Sequence, residues 1–166
     1  MSDVKSSKFY IATSPVNRQY DAMWEVEWAL GECRVKRTPF RGVFTIEAFQ
    51  DAIEKIREYE TTAIYKVIPL DSLVRTEFQE ILQESLKIAK EKLKSEKTFA
   101  VRCKKRDSHL SSREVEKKLG AEISKEIGSK VDLTKPDVLI KIEVLGRKTG
   151  IGVLKPEEIL VKEVLE

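Results

Sequence analysis

Residues Lys97–Lys118, KTFAVRCKKRDSHLSSREVEKK, hold eight Lys/Arg side chains against three acidic ones, a local excess of five positive charges in a chain of net charge +3. The remainder of the chain is therefore slightly acidic. The order of these residues matters as much as their number. Arg102, Lys104, Lys105 and Arg106 run into a polar loop containing His109, then two hydroxyls, Ser111 and Ser112, then Arg113 and Lys117 four residues apart. Ser111-Ser112-Arg113-Glu114 fits the S-x-x-E capping box that opens a helix. A helix N-terminus presents unpaired N–H groups and a partial positive charge, and so favours anions. With Arg147 and Lys148 in a later turn, the set can grip a phosphate backbone without reading bases. The competing reading is a solvated basic loop before a Ser-capped helix, and composition alone does not make the anion RNA.

Catalytic chemistry finds little to use. His109 is the one histidine, without a suitably spaced Ser or Cys, so no triad is indicated and His109 reads as a contact or simply as exposed. The chain has no GxGxxG, no GxxxxGK[ST] and no EF-hand loop. Gly146–Gly150 resembles a phosphate loop only superficially, because Lys148 and Thr149 precede the second glycine and a strand follows. Cys33 and Cys103 are far apart, and structural zinc needs about four N or S ligands. The expectation is a non-enzymatic protein without metal or cofactor. The polar start, MSDVKSSK, and the absence of an apolar run of about 18 residues point to a soluble cytoplasmic protein that does not enter a membrane.

Two halves must position this chemistry. Strand-like runs at residues 8–13, 33–38, 43–46 and 63–68 alternate with helices, one between Asn17 and Gly31 and one carrying Ala48, Phe49, Ala52, Ile53 and Ile56. That is a β-α-β-β-α-β order, the ferredoxin-like pattern, over residues 1–71. Tyr20, Trp24 and Trp28 recur every four residues, which predicts an aromatic stripe packed on the sheet, with a base-stacking platform as the alternative. Arg34, Lys36, Arg37 and Arg41 gather on the middle hairpin, either as a solvated face or as an auxiliary phosphate contact.

Residues 72–166 form the second half. Asp71–Lys94 predicts one long helix through Val74, Phe78, Ile81, Leu82, Leu86, Ala89 and Leu93. A strand at 98–103 points Phe99, Val101 and Cys103 inward. A loop at 105–110 leads to a helix buried along Val115, Leu119, Ile123 and Ile127 and stopped by Gly128. A short extended piece at 131–135, a strand at 138–145, a turn at 146–150 and a returning strand complete it. The fold class is α+β.

FAVRCKKRDSHLSSREVEKKLGAEI and KPDVLIKIEVLGRKTGIGV, in this order after a ferredoxin-like half and a linker helix, resemble a THUMP-domain protein. The resemblance implies tRNA binding, typically near the acceptor end, and presentation to a catalytic domain. On it, Arg102, Lys104 and Arg106 fall in the basic strand and loop, Ser111 and Ser112 at the helix start, Gly120 within the helix and Arg147 in the hairpin. The chain ends soon after these strands, and this arrangement is similar to the tRNA acetylation adaptors. These serve a separate cytidine acetyltransferase that makes 4-acetylcytidine. The expected partners are thus tRNA and a tRNA acetyltransferase, with no DNA. Partnership with a methylating or thiolating enzyme and a protein-only interaction module are the alternatives; a small ferredoxin-like hydrolase lacks its basic glycine-rich loop at Ser14–Arg18.

Overall fold

The computed structural model describes residues 7–165. Residues 1–6 and 166 lie outside the described part, and with them most of the polar MSDVKSSK start. Among the described residues no helix is long and apolar enough to cross a membrane. Contacts divide the chain into two units. One runs up to Pro69 and takes in the residues from Glu157 onward; the other is Leu70–Pro156. The sequence reading gives the C-terminal residues to the second half, but their partners lie in the first unit.

The first unit contains β1 (Lys8–Thr13), a 3-10 turn at Val16–Arg18, α1 (Gln19–Leu30), β2 (Cys33–Arg37), β3 (Val43–Ala48), α2 (Ala52–Glu58) and β4 (Lys66–Leu70). The sheet order is β2-β3-β1-β4, extended at its end by a short strand from the C-terminal residues, Leu160–Val161. That strand runs antiparallel to β4 with Leu160 opposite Val67. Lys162 Nζ follows it and donates to the carbonyls of Ile56 and Tyr59 at 3.1 and 2.8 Å, placing a cation where α2 stops. β1 and β3 are antiparallel, with Tyr10 opposite Ile46, and β2 continues the ladder with Val35 opposite Ile46. The α2 helix starts later than its apolar pattern suggests. Asp51 caps it, Oδ1 accepting from the Ile53 N–H at 3.1 Å, and Ala48 stays in β3. Gly42 turns at φ 77°, and a Cβ there would stand 2.7 Å from the Ser14 carbonyl, so the turn accepts only glycine.

One expectation for this unit is overturned. Tyr20, Trp24 and Trp28 are 67%, 68% and 70% exposed. The buried face of α1 is Ala22, Val26 and Leu30, packed with Tyr10, Phe44 and Ile46 of the sheet and Ala52 and Ile56 of α2. Residues 20, 24, 28 and residues 22, 26, 30 share the same four-residue spacing, so periodicity does not choose between them. Close packing does: small side chains let the helix settle onto the sheet, whereas two indoles and a phenol would hold it away.

The second unit contains β5 (Ser72–Arg75), α3 (Phe78–Lys92), β6 (Phe99–Arg106), α4 (Ser112–Ile127), β7 (Val138–Leu145) and β8 (Lys148–Leu154). Its sheet order is β5-β8-β7-β6. β6 and β7 are parallel, with α4 in the connection between them, and the other pairs are antiparallel. Phe99, Val101, Ile140, Ile142 and Val153 pack with Val115, Leu119 and Ile123 of α4 and Ile81 and Ala89 of α3.

The expected helix from Asp71 begins only at Phe78, because residues 72–75 pair with β8 instead. Asp71 sets this course. Its N–H donates to the Ile151 carbonyl at 2.7 Å, and its Oδ2 accepts from the Val153 N–H at 2.7 Å. Val74 still packs against the core, from a strand. β6 also runs beyond its expected end, to Arg106, because β7 pairs with it residue for residue as far as Leu145.

The assignment of the α1 faces is open to a direct comparison. Leu30→Ala should cost about 2–4 kcal/mol of unfolding free energy in denaturant titration. Trp28→Ala should change it by no more than about 0.5 kcal/mol. The opposite ranking would return the aromatics to the core.

Candidate nucleic-acid interface

β6 is the edge strand of its sheet and carries the basic run Arg102–Arg106. Phe99, Val101 and Cys103 face the helices. Arg102, Lys104 and Arg106 alternate to the other side of the strand. Two side-chain contacts finish the edge. The Cys103 N–H donates to Glu116 Oε2 on α4 at 2.9 Å. Arg102 Nη2 donates to the Leu133 carbonyl at 2.5 Å, tying the 131–133 segment alongside the strand, where Val131 already bridges Phe99.

Between that segment, the β6 edge and α4 lies a groove of about 610 Å³. Arg102, Arg113 and Lys117 supply its cations. Gly120, Val131 and Leu133 supply apolar surface, and Glu116 contributes one acid. Arg113 and Lys117 therefore stay together, one helical turn apart, and Arg102 joins them from the strand. Val131 and Leu133 are exposed and were not among the expected site residues. Their alternation with Asp132 and Thr134 was the available signal: an apolar pair with no sheet face of its own to cover it.

The remaining expected residues divide by what already holds them. Arg106 is already engaged within the protein. Its Nη1 is 3.0 Å from Glu143 Oε1, and the two side chains are 12% and 2% exposed. Lys141 Nζ closes on the other oxygen of Glu143 at 3.2 Å. Of the two hydroxyls at the start of α4, Ser111 is exposed and Ser112 is half-buried. Ser111 Oγ accepts the Glu114 N–H at 3.3 Å as the helix cap, while the Glu114 carboxylate goes to Lys118 at 3.8 Å, so the capping box is half formed.

Lys104, Lys105, His109 and Arg113 are exposed, as are Lys117, Arg147 and Lys148. The Gly146 N–H donates to the Arg106 carbonyl at 2.9 Å, which sets the Arg147–Lys148 turn beside the basic end of β6. Among the described residues, Lys104, Lys105, Arg113, Lys117, Arg147 and Lys148 form no ion pair. A cation without an intramolecular ion pair has none to break when it meets a phosphate.

Residues 75–154 match the THUMP domain. The chain carries a THUMP domain. It comprises most of the second unit and includes the groove. An uncharacterized protein of Methanocaldococcus jannaschii is 31% identical over 120 residues, 72% of this chain and 32% of that protein. A tRNA sulfurtransferase of Haemophilus ducreyi is 32% identical over 90 residues, 53% of this chain and 18% of that protein. Among solved structures, PH1313 from Pyrococcus horikoshii superposes with a TM-score of 0.71 at 22% identity, covering 89% of this chain and 55% of that one. A 4-thiouridine synthetase–RNA complex with bound ATP gives 0.66 at 23% identity, covering 90% and 42%. At these identities the structural likeness speaks for the fold. The chain spans about a third of the Methanocaldococcus relative and about half of PH1313.

Two measurements test the packing beneath the THUMP basic surface. Glu143→Gln leaves Arg106 and Lys141 facing an uncharged amide in a buried setting and should cost about 3 kcal/mol of stability. A loss under about 1 kcal/mol would mean that the carboxylate does not anchor the strand end. Burial pushes the Cys103 thiol up from its ordinary 9.0, reinforced by Glu116 and Glu143 against the Ser112 hydrogen bond. A raised thiol pKa favours the folded state fully below the unfolded value. That contribution is lost as pH climbs through the folded value. Wild-type stability should therefore fall on raising the pH above about 9, and less steeply in Cys103→Ala.

Proposed function

We propose that this chain binds tRNA through its THUMP domain and presents it, without catalysing a reaction itself, to a separate modifying enzyme in the cytoplasm. The observation that carries the reading is the meeting of Arg102, Arg113 and Lys117 on one groove, with Lys104, Lys105, Arg147 and Lys148, which form no ion pair among the described residues, near the end of the same strand. Cations supply affinity for phosphates. The apolar surface of Val131 and Leu133 offers a place for a sugar or an unstacked base, a chemistry that suits RNA with single-stranded ends better than duplex DNA. The tRNA sulfurtransferase relative supports tRNA as the nucleic acid.

Formation of 4-acetylcytidine by a partner acetyltransferase is the specific pathway we favour, on the resemblance of the FAVRCKKR…SSRE and VLIKIEVLGRKTGIGV stretches, after a ferredoxin-like half, to the acetylation adaptors. Thiolation is the second reading, favoured by the named relative. Deletion of the gene followed by mass spectrometry of tRNA nucleosides separates them. Selective loss of 4-acetylcytidine supports the first reading, and loss of a thiolated nucleoside transfers the role to the second.

Binding itself is tested with the triple variant Arg102→Ala, Arg113→Ala, Lys117→Ala. Its affinity for unfractionated tRNA should fall at least about tenfold. The slope of log affinity against log salt should shrink by about 0.7 for each phosphate that the variant no longer neutralises. Unchanged binding by a variant with a wild-type circular dichroism spectrum would remove the groove from the interface.

A further inference from the structure

We infer that the solvent face of α1 is a docking surface for a cationic, arginine-bearing segment of a partner protein. The inference does not rest on the RNA reading, because every residue it uses lies in the first unit. Tyr20, Trp24 and Trp28 form a ridge along the exposed side of the helix, opposite Ala22, Val26 and Leu30. Three large aromatics at about two-thirds exposure are unusual on a protein surface and mark interaction sites when contiguous. Tyr59 stands beside the two indoles, and together with them lines a shallow groove of about 430 Å³.

Charge decides the class of occupant. Asp21, Glu25 and Glu60 line the same groove, and helical spacing puts Glu27 on the opposite flank of the ridge. A phosphate backbone would meet this rim as like charge. A second copy docked face to face would set the same carboxylates against one another. An arginine satisfies both halves of the surface, its guanidinium stacking on an indole while donating to a carboxylate. The face already holds one: Arg37 Nη1 donates to the Tyr20 hydroxyl at 2.8 Å, with its guanidinium carbon 5.9 Å from the ring centroid. Trp24 and Trp28 have no such companion among the described residues. Some of the acidic charge is shared within the unit. Asp21 pairs with Arg18 at 3.3 Å, and Glu25 accepts the N–H groups of Thr62 and Ala63 at 2.6 and 2.9 Å. Among the described residues, Glu60 and Glu27 have no ion-pair partner.

Trp24 and Trp28 are the two tryptophans of the chain, so selectively excited tryptophan fluorescence reports this face alone. The probes are a short synthetic peptide alternating arginine and leucine, its glutamate–leucine counterpart, and unfractionated tRNA, each titrated at low ionic strength. The arginine peptide should give a saturable blue shift and the glutamate peptide none. Trp28→Ala and Glu60→Gln should each weaken the arginine peptide about two- to fivefold, with circular dichroism unchanged. Absence of a saturable shift, or an equal response to both peptides, overturns the proposal. So does a shift produced by tRNA at lower concentration than by peptide, which would make the ridge a base-stacking platform. Sedimentation showing a wild-type dimer that Trp28→Ala dissociates would assign the face to a second copy instead.

Discussion

A single carboxylate, Glu143, sets the geometry of the basic surface. It is almost fully buried on β7 and is held by Arg106 from β6 and by Lys141 from its own strand. Three charges removed from water in this way cost more than the pairing returns unless the contacts are close, and they tie the strands to one arrangement. With Arg106 drawn in, the end of β6 is clamped to β7. The chain then turns at Asp107, whose φ of 48° is left-handed, and enters α4 with Ser111 as its cap. Lys104 and Lys105 are left facing solvent, and the Arg147–Lys148 turn is hydrogen-bonded beside them. An electrostatic surface is shaped here by a cation that takes no part in it.

The groove follows from an edge strand that has to be finished. An open row of strand N–H and C=O groups invites unwanted pairing. β6 answers with side chains and a local segment: Glu116 takes the Cys103 N–H, Arg102 holds the Leu133 carbonyl, and Val131 bridges Phe99. The same contacts that close the edge bring Arg102 to Arg113 and Lys117 and leave Val131 and Leu133 in the open. The closure of the edge and the lining of the candidate groove thus share the same few residues. The first unit shows a different division of labour, in which one helix turns small side chains to the sheet and large aromatic ones to solvent.

Much of this molecule was readable in its residues. The alternation of apolar positions gave most strands and helices of both halves in order, β5 and the C-terminal strand excepted; Ser111 gave the start of α4, Gly128 gave its left-handed end, and the charge cluster gave the basic surface. Such features depend on neighbours a few positions away in the chain, which a sequence displays directly. The tertiary structure decided everything that depended on distant partners. Val74 fits a helical stripe equally well as a strand position, until β8 lies next to it. Trp24 and Val26 repeat at the same interval, and only the space above the sheet selects the smaller side chain. Arg106 looks like its basic neighbours until Glu143, 37 residues further along, closes on it. Local pattern determined which elements form; the competition of side chains for a limited interior, and of cations for a buried carboxylate, determined which residues remained free to act.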